Sequence, residues 1–252
     1  MRKASSPIYF DNFLLLFIPL IAGLLLSIPV KSQNFNYSFA KDSLTWQELN
    51  TQTILNTNNS AWNFAYRIPI GFSFNYLGRT CDSVTIETNG YLVFDEDRNY
   101  AFTAFLGFGD CIDAAGNHSV IGYSTSGTAG NRILKIQYKN TGSWMASSQF
   151  FTYQIWLKEN SNTVEVHIGP NDFQPGILAL ETDTIIINPD SIHAYRVGLL
   201  NMNMNTETCG FFIAGTTAAT FGQPVYEAYP DTPFLVRAPS QGTRYTFTPN
   251  SN

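Results

Sequence analysis

The run Asp95-Glu96-Asp97-Arg98-Asn99 carries the alternating oxygen donors with which calcium loops begin. An EF-hand is excluded, because Tyr100 stands where a glycine must turn and Leu106 where a bidentate glutamate must close the cage. A looser cage would recruit Asp110 and Asp113, so Asp95, Asp97, Asn99, Asp110 and Asp113 are the calcium candidates. The alternative is a solvated acidic turn paired with Arg98. No other metal or cofactor is expected: His118, His167 and His193 are scattered and fit no metal spacing. His167 alternates with Val166 and Ile168, which aims it away from the core as a solvated or hydrogen-bonded histidine.

Acyl-transfer chemistry finds little to use. Gly122-Tyr123-Ser124-Thr125-Ser126-Gly127 lacks the spacing of a nucleophile elbow and reads as a hairpin turn. Nothing predicts two carboxylates held across a cleft, as glycoside hydrolysis requires. No catalytic residue is assigned, and the chain is expected not to be an enzyme. Aromatic residues are the positive hint of binding. Tyr100, Phe102, Phe105 and Phe108 crowd one loop, and Trp144 lies in a Gly/Ser loop, so these five could stack on sugar rings. The alternative is that the Phe loop plugs one end of the fold while the tryptophans fill the core. Trp156 alternates with Ile155 and Leu157 and belongs to the less buried face. Of the three cysteines, Cys81 and Cys111 are the pair expected in an oxidising compartment; otherwise all three, Cys209 included, are small buried hydrophobes.

The elements that must hold these residues are strands. Ser83 to Phe94 reads as a hairpin whose Asn89-Gly90 suits a type I′ turn. Arg132 to Lys139 places Leu134, Ile136 and Tyr138 on one face and Lys135, Gln137 and Lys139 on a wet one. Phe151–Lys158 and Thr163–Ile168 pair across a turn at Glu159–Asn162. Further strands are expected near Thr45–Leu49, Arg67–Asn75, Ala194–Leu200, Cys209–Ala214 and Arg244–Thr248, with a single helical turn at Tyr100–Leu106. Many short strands without a linker predict one all-β domain, an antiparallel jelly-roll-like β-sandwich over residues 33–252, with a closed barrel as the runner-up.

Composition narrows the setting. Hydrophobic residues make up 44% of the 252, which excludes disorder. Charged residues are only 13%, so Asn, Thr, Ser, Gln and Gly must build the surface, as in extracellular β proteins. A net charge of −5 argues against nucleic acid and anionic membrane as partners. Residues 1–32 read as a cleavable signal peptide: Arg2 and Lys3, an apolar run from Phe13 to Val30, then Val30-Lys31-Ser32 before Gln33. After cleavage no membrane association is expected.

The strand signatures Ile68-Pro69-Ile70-Gly71-Phe72-Ser73-Phe74, Thr88-Asn89-Gly90-Tyr91, Tyr153-Gln154-Ile155-Trp156-Leu157, Val164-Glu165-Val166-His167-Ile168-Gly169-Pro170 and Gly242-Thr243-Arg244-Tyr245-Thr246-Phe247 carry a resemblance. Over about residues 37 to 249 the chain resembles a secreted β-sandwich module of Bacteroidota surface proteins associated with type IX secretion. The resemblance implies a secreted protein, extracellular or at the cell surface, and O-glycosylation at Asp-Ser/Thr-aliphatic sites, here Ser43, Ser83, Thr184 and Ser191. Such proteins continue into a C-terminal sorting domain, whereas this sequence stops at Asn252; periplasmic retention is therefore the alternative address. The expected function is a non-catalytic structural or adhesive module, with glycans or surface proteins as partners; the alternative is a carbohydrate-binding module.

Overall fold

The computed structural model describes residues 37–56, 65–88, 90–94, 100–103, 119–143, 146–172, 198–203, 208–213, 225–227 and 239–250. The chain divides into two units, Met1–Asn34 and Phe35–Asn252, and every described residue belongs to the second.

Among the described residues, fourteen strands form two antiparallel seven-stranded sheets. Sheet B contains β3 (Ala65–Tyr76), β4 (Arg79–Glu87), β5 (Tyr91–Val93) and β6 (Tyr100–Thr103) as a meander, extended by β11 (Gly198–Asn203), β12 (Thr208–Ile213) and β13 (Val225–Glu227). Sheet A contains a second meander, β7 (Val120–Ser126), β8 (Ile133–Ser143), β9 (Ala146–Lys158) and β10 (Val164–Asn171). β2 (Thr53–Asn56) closes its β7 edge, while β14 (Thr243–Pro249) and then β1 (Tyr37–Ser43) close the other. Among the described residues the sheets keep free edges and do not close on themselves, so the fold is the β-sandwich and not the barrel.

Two-residue alternation fills the space between the sheets. On β3, Ile68, Ile70, Phe72, Phe74 and Tyr76 are buried while Pro69, Gly71 and Ser73 face out. They meet Leu134, Ile136 and Tyr138 of β8, Ile155 and Leu157 of β9, and Tyr245 and Phe247 of β14 in one core. Proline is tolerated on β3 because the strand is an edge, and its pairing with β4 shifts register around Gly71, which has φ +87°. Polar bonds tie the layers together. Tyr138 Oη donates to Glu87 O at 3.0 Å, Leu77 N donates to Tyr37 Oη at 3.3 Å, and Asn75 N donates to Asn162 Oδ1 at 2.7 Å.

Several expectations are corrected. Gly122–Ser126 is strand, not turn: all of β7, from Val120 to Ser126, pairs with Lys139 to Ile133 of β8, and the reversal lies at Gly127–Arg132. Tyr100–Thr103 is strand β6, not a helical turn, because it is hydrogen-bonded between β5 and β11. The β4–β5 loop pairs Ile86 with Leu92 and has Gly90 N donating to Glu87 O, with Gly90 at φ +81°. That is a three-residue connection rather than the type I′ turn. Thr45–Leu49 is not a strand. The strand lies earlier, at β1, and residues 44–52 do something else.

Candidate functional site

Leu44 to Gln52 leave β1 at one edge of sheet A and reach β2 at the opposite edge. Six interstrand steps of about 4.8 Å separate those edges, about 29 Å, which nine extended residues can just span. The segment is a strap across the outer face, and its contacts follow the strand order. Leu44 N donates to Gly242 O beside β14 at 2.8 Å. Trp46 lies on Gly169 of β10, where a Cβ would come within 2.7 Å of the indole. Gln154 Nε2 of β9 donates to Gln47 O at 2.9 Å, and Leu49 N donates to Gln137 Oε1 of β8 at 3.1 Å. Glu48 pairs with Lys139, and Gln52 occupies the space that a Cβ on Gly122 of β7 would need. The strap runs across the strands rather than along one, so it forms no ladder, and glutamine side chains take the Gln47 carbonyl and the Leu49 N–H.

The strap changes what an outward-facing residue experiences. Gln137, on the face expected to be wet, and Gln154, beside it on β9, are 0% and 1% exposed and joined by a 2.8 Å Gln154 Nε2 to Gln137 Oε1 bond. This corrects the wet-face reading of β8; Lys135 and Lys139 of that face remain half-buried. Replacing Gly169 with alanine is expected to push the Trp46 indole off its seat, costing about 1–3 kcal/mol by overpacking and shifting tryptophan emission to the red. Unchanged emission would mean that the indole does not depend on this seat.

Register places Asp42, Arg244, His167, Gln154 and Gln137 in one row across five strands. Glu165, Trp156 and Lys135 form the next row. Glu165, with its side chain 4% exposed, lies 2.5 Å from Lys158 Nζ, 2.8 Å from His167 Nε2 and 3.7 Å from Arg244 Nη1. Burial works against its charge, but the bonds from His167 and Lys158 outweigh it and hold the carboxyl below the usual range. Glu165 is therefore an acceptor, which makes His167 Nε2 the donor. Burial keeps the imidazole below its ordinary pKa, despite the neighbouring carboxylate. With the ring neutral, Lys158 and Arg244 balance Glu165 and Asp42. Asp42 is itself held low by its bond from Arg244.

Trp156 has the exposure expected for it but no bare face. The His167 ring stacks on it at 4.0 Å, and Lys135 Nζ stands 4.1 Å from its centroid. Its Nε1 donates to Gln154 Oε1 at 2.8 Å. Neither Trp46 nor Trp156 belongs to the inner core: Trp156 lies on the less buried face, as expected, and for Trp46 the reading of tryptophans as core filling is corrected. Among the described residues no hydroxyl or thiol hydrogen-bonds to His167, and no group of three or more His, Cys, Asp or Glu has metal-site geometry.

Asp95, Asp97, Asn99, Asp110, Asp113, Phe105, Phe108, Trp144, Thr184, Ser191 and Cys111 lie outside the described residues, as do His118 and His193. Tyr100 and Phe102 lie on β6, and Cys209 on β12. Ser43 ends β1 and is exposed. Ser83 Oγ donates to Asp82 and accepts from Arg67 Nη2 at 2.9 Å. Cys81 Sγ lies 3.3 Å from Phe94 O. Arg67, Arg79, Cys81 and Asp82 line an outer cavity of about 480 Å³ on sheet B.

The glutamine-gripped strap and the buried charged row were missed in the sequence. Three glycines facing the strap (Gly122, Gly169 and Gly242) and the Glu165-x-His167 pair opposite Trp156 were the available signals.

Fold and site together define a two-sheet antiparallel β-sandwich module that carries, on the outer face of sheet A, a charged network centred on buried Glu165 and His167. Residues 36–249 match the family model described as NIDO related, and the chain belongs to that family. No curated protein and no solved structure matches it.

Proposed function

We propose that the chain is a non-catalytic, exported β-sandwich module with a structural or adhesive role in the cell envelope or extracellular space. The observation that carries this reading is the outer face of sheet A, where buried Glu165 and His167 are engaged with each other and with the partly exposed Lys158 and Arg244, and Arg244 in turn with Asp42. Membership of the NIDO-related family fits an extracellular module of non-catalytic type. Secretion through the residues 1–32 leader, and an origin among type IX-associated modules, belong to the same reading.

The test has two parts. Cell fractionation of the full chain, with N-terminal sequencing, should find a mature protein beginning at Gln33 outside the inner membrane. Purified residues 33–252 should bind a surface coated with envelope proteins saturably, and turn over no ester, peptide or polysaccharide. Turnover that Glu165→Gln abolishes would overturn the reading. Retention on one polysaccharide, with a shift in tryptophan emission, would replace it with carbohydrate binding.

A further inference from the structure

We infer that the outer face of sheet A is a recognition surface for an extended peptide, filled in cis by the Leu44–Gln52 strap and able to accept the strap of a second copy. This inference is independent of whether the module is adhesive. The face meets its occupant as a peptide-binding surface meets a ligand. Gly169 seats an aromatic ring and Gly122 leaves room for an amide side chain. Between these seats, Gln154 donates to the carbonyl of Gln47, and Gln137 accepts the N–H of Leu49. The bonds to the strap backbone read an extended conformation, while the glycine seats read Trp46 and Gln52. Lys139 adds a charge match to Glu48.

The grip is uneven. Gln52 Oε1 and Gln137 Nε2 are buried without a hydrogen-bond partner, although Gly122, beneath Gln52, pairs directly with Gln137. The strap is thus held firmly from Leu44 to Leu49 and less completely at its β2 end. It is flanked by β1 and β2, both edge strands of sheet A, so its release breaks no central ladder. A second copy carries the same Trp46-Gln47-Glu48-Leu49-Asn50-Thr51-Gln52 sequence, and exchange of an identical segment needs no new complementarity.

A fluorescein-labelled peptide of residues 43–53 would be titrated with mature wild-type chain and with the Trp46→Ala variant, read by anisotropy. The cis strap lowers apparent affinity by the fraction of molecules in which it is open, so the variant should bind about tenfold or more tightly than the wild type. Adding Gln154→Ala should remove most of that binding. Equal binding to both chains, or none to a variant that still unfolds cooperatively, would overturn the proposal. Should Trp46→Ala fail to fold, hydrogen exchange of the wild type decides. The Leu49 amide should exchange about 100-fold faster than that of Ile155 on β9, through local opening. Exchange of Leu49 only at the rate of global unfolding would show a strap that does not open, and the proposal would fail.

Discussion

Tyr138→Ala is expected to destabilise the folded chain by about 4 kcal/mol, read as a lower urea midpoint with an unchanged slope. Tyr138 is fully buried, and its ring lies parallel to that of Tyr153 at 4.6 Å with 6° between the planes. Its hydroxyl reaches across the sandwich to Glu87 O. Truncation therefore removes an aromatic volume, a stacked pair and a bond between the sheets at once. Tyr138→Phe isolates the last of these and should cost about 1 kcal/mol, leaving Glu87 O with one bond fewer. Near-equal losses for the two variants would mean that the hydroxyl bond, and not the packing, holds this region.

The second large effect belongs to Glu165. Glu165→Ala at neutral pH is expected to cost about 3 kcal/mol, because it leaves Lys158, Arg244 and His167 facing one another without their shared acceptor. The half-exposed Lys158 and Arg244 keep the loss at the lower end for a buried pair. The same cluster sets an acid response with a defined sign. His167 titrates below its ordinary value in the folded chain, so its contribution is complete above about pH 6.5 and is lost as pH falls below it. Glu165 is also held low, so its contribution is present above about pH 4.3 and is lost below it. Glu159 follows the same lower course: its bonds from Arg132 bring it to about 2. Stability should therefore decline in two stages on acidification. His167→Gln keeps a donor toward Glu165 but removes the titrating ring, and should flatten the stage between pH 7 and 5 in chemical denaturation. A retained slope there would place the upper stage elsewhere.

Alternation made the interior legible. The inward residues of β3, β8, β9, β10 and β14 stand where the two-residue period puts them, and the Glu159–Asn162 reversal falls between the predicted strands, with Asn160 and Asn162 at positive φ. The same period misled on the outer face. It distinguishes in from out, but not wet from covered, and Gln137, Gln154, Glu165 and His167 are outward and buried. Trp156 lies against His167, and Lys158 and Arg244 against Glu165; what covers the two glutamines is a segment whose polar composition, Gln-Glu-Leu-Asn-Thr-Gln, carries no hydrophobic signal. Its position depends on side-chain amides and on three distant glycines. The β7 error has a related cause: Gly122 looked like turn chemistry, whereas its missing side chain makes room for Gln52.

β14 lies inside sheet A, hydrogen-bonded to β10 on one side and to β1 on the other. Residue 37 thus pairs with residue 249, and Asp42 meets a guanidinium 202 positions away. β1 has no edge to join until β14 has been delivered, so sheet A completes only after residues 243–249 have joined it. Closure of a loop that long is a late and slow folding event. Until it happens, β10 has an open flank and the strap has no complete sheet to lie on, so the order of synthesis delays the closing of this face until β14 has been made.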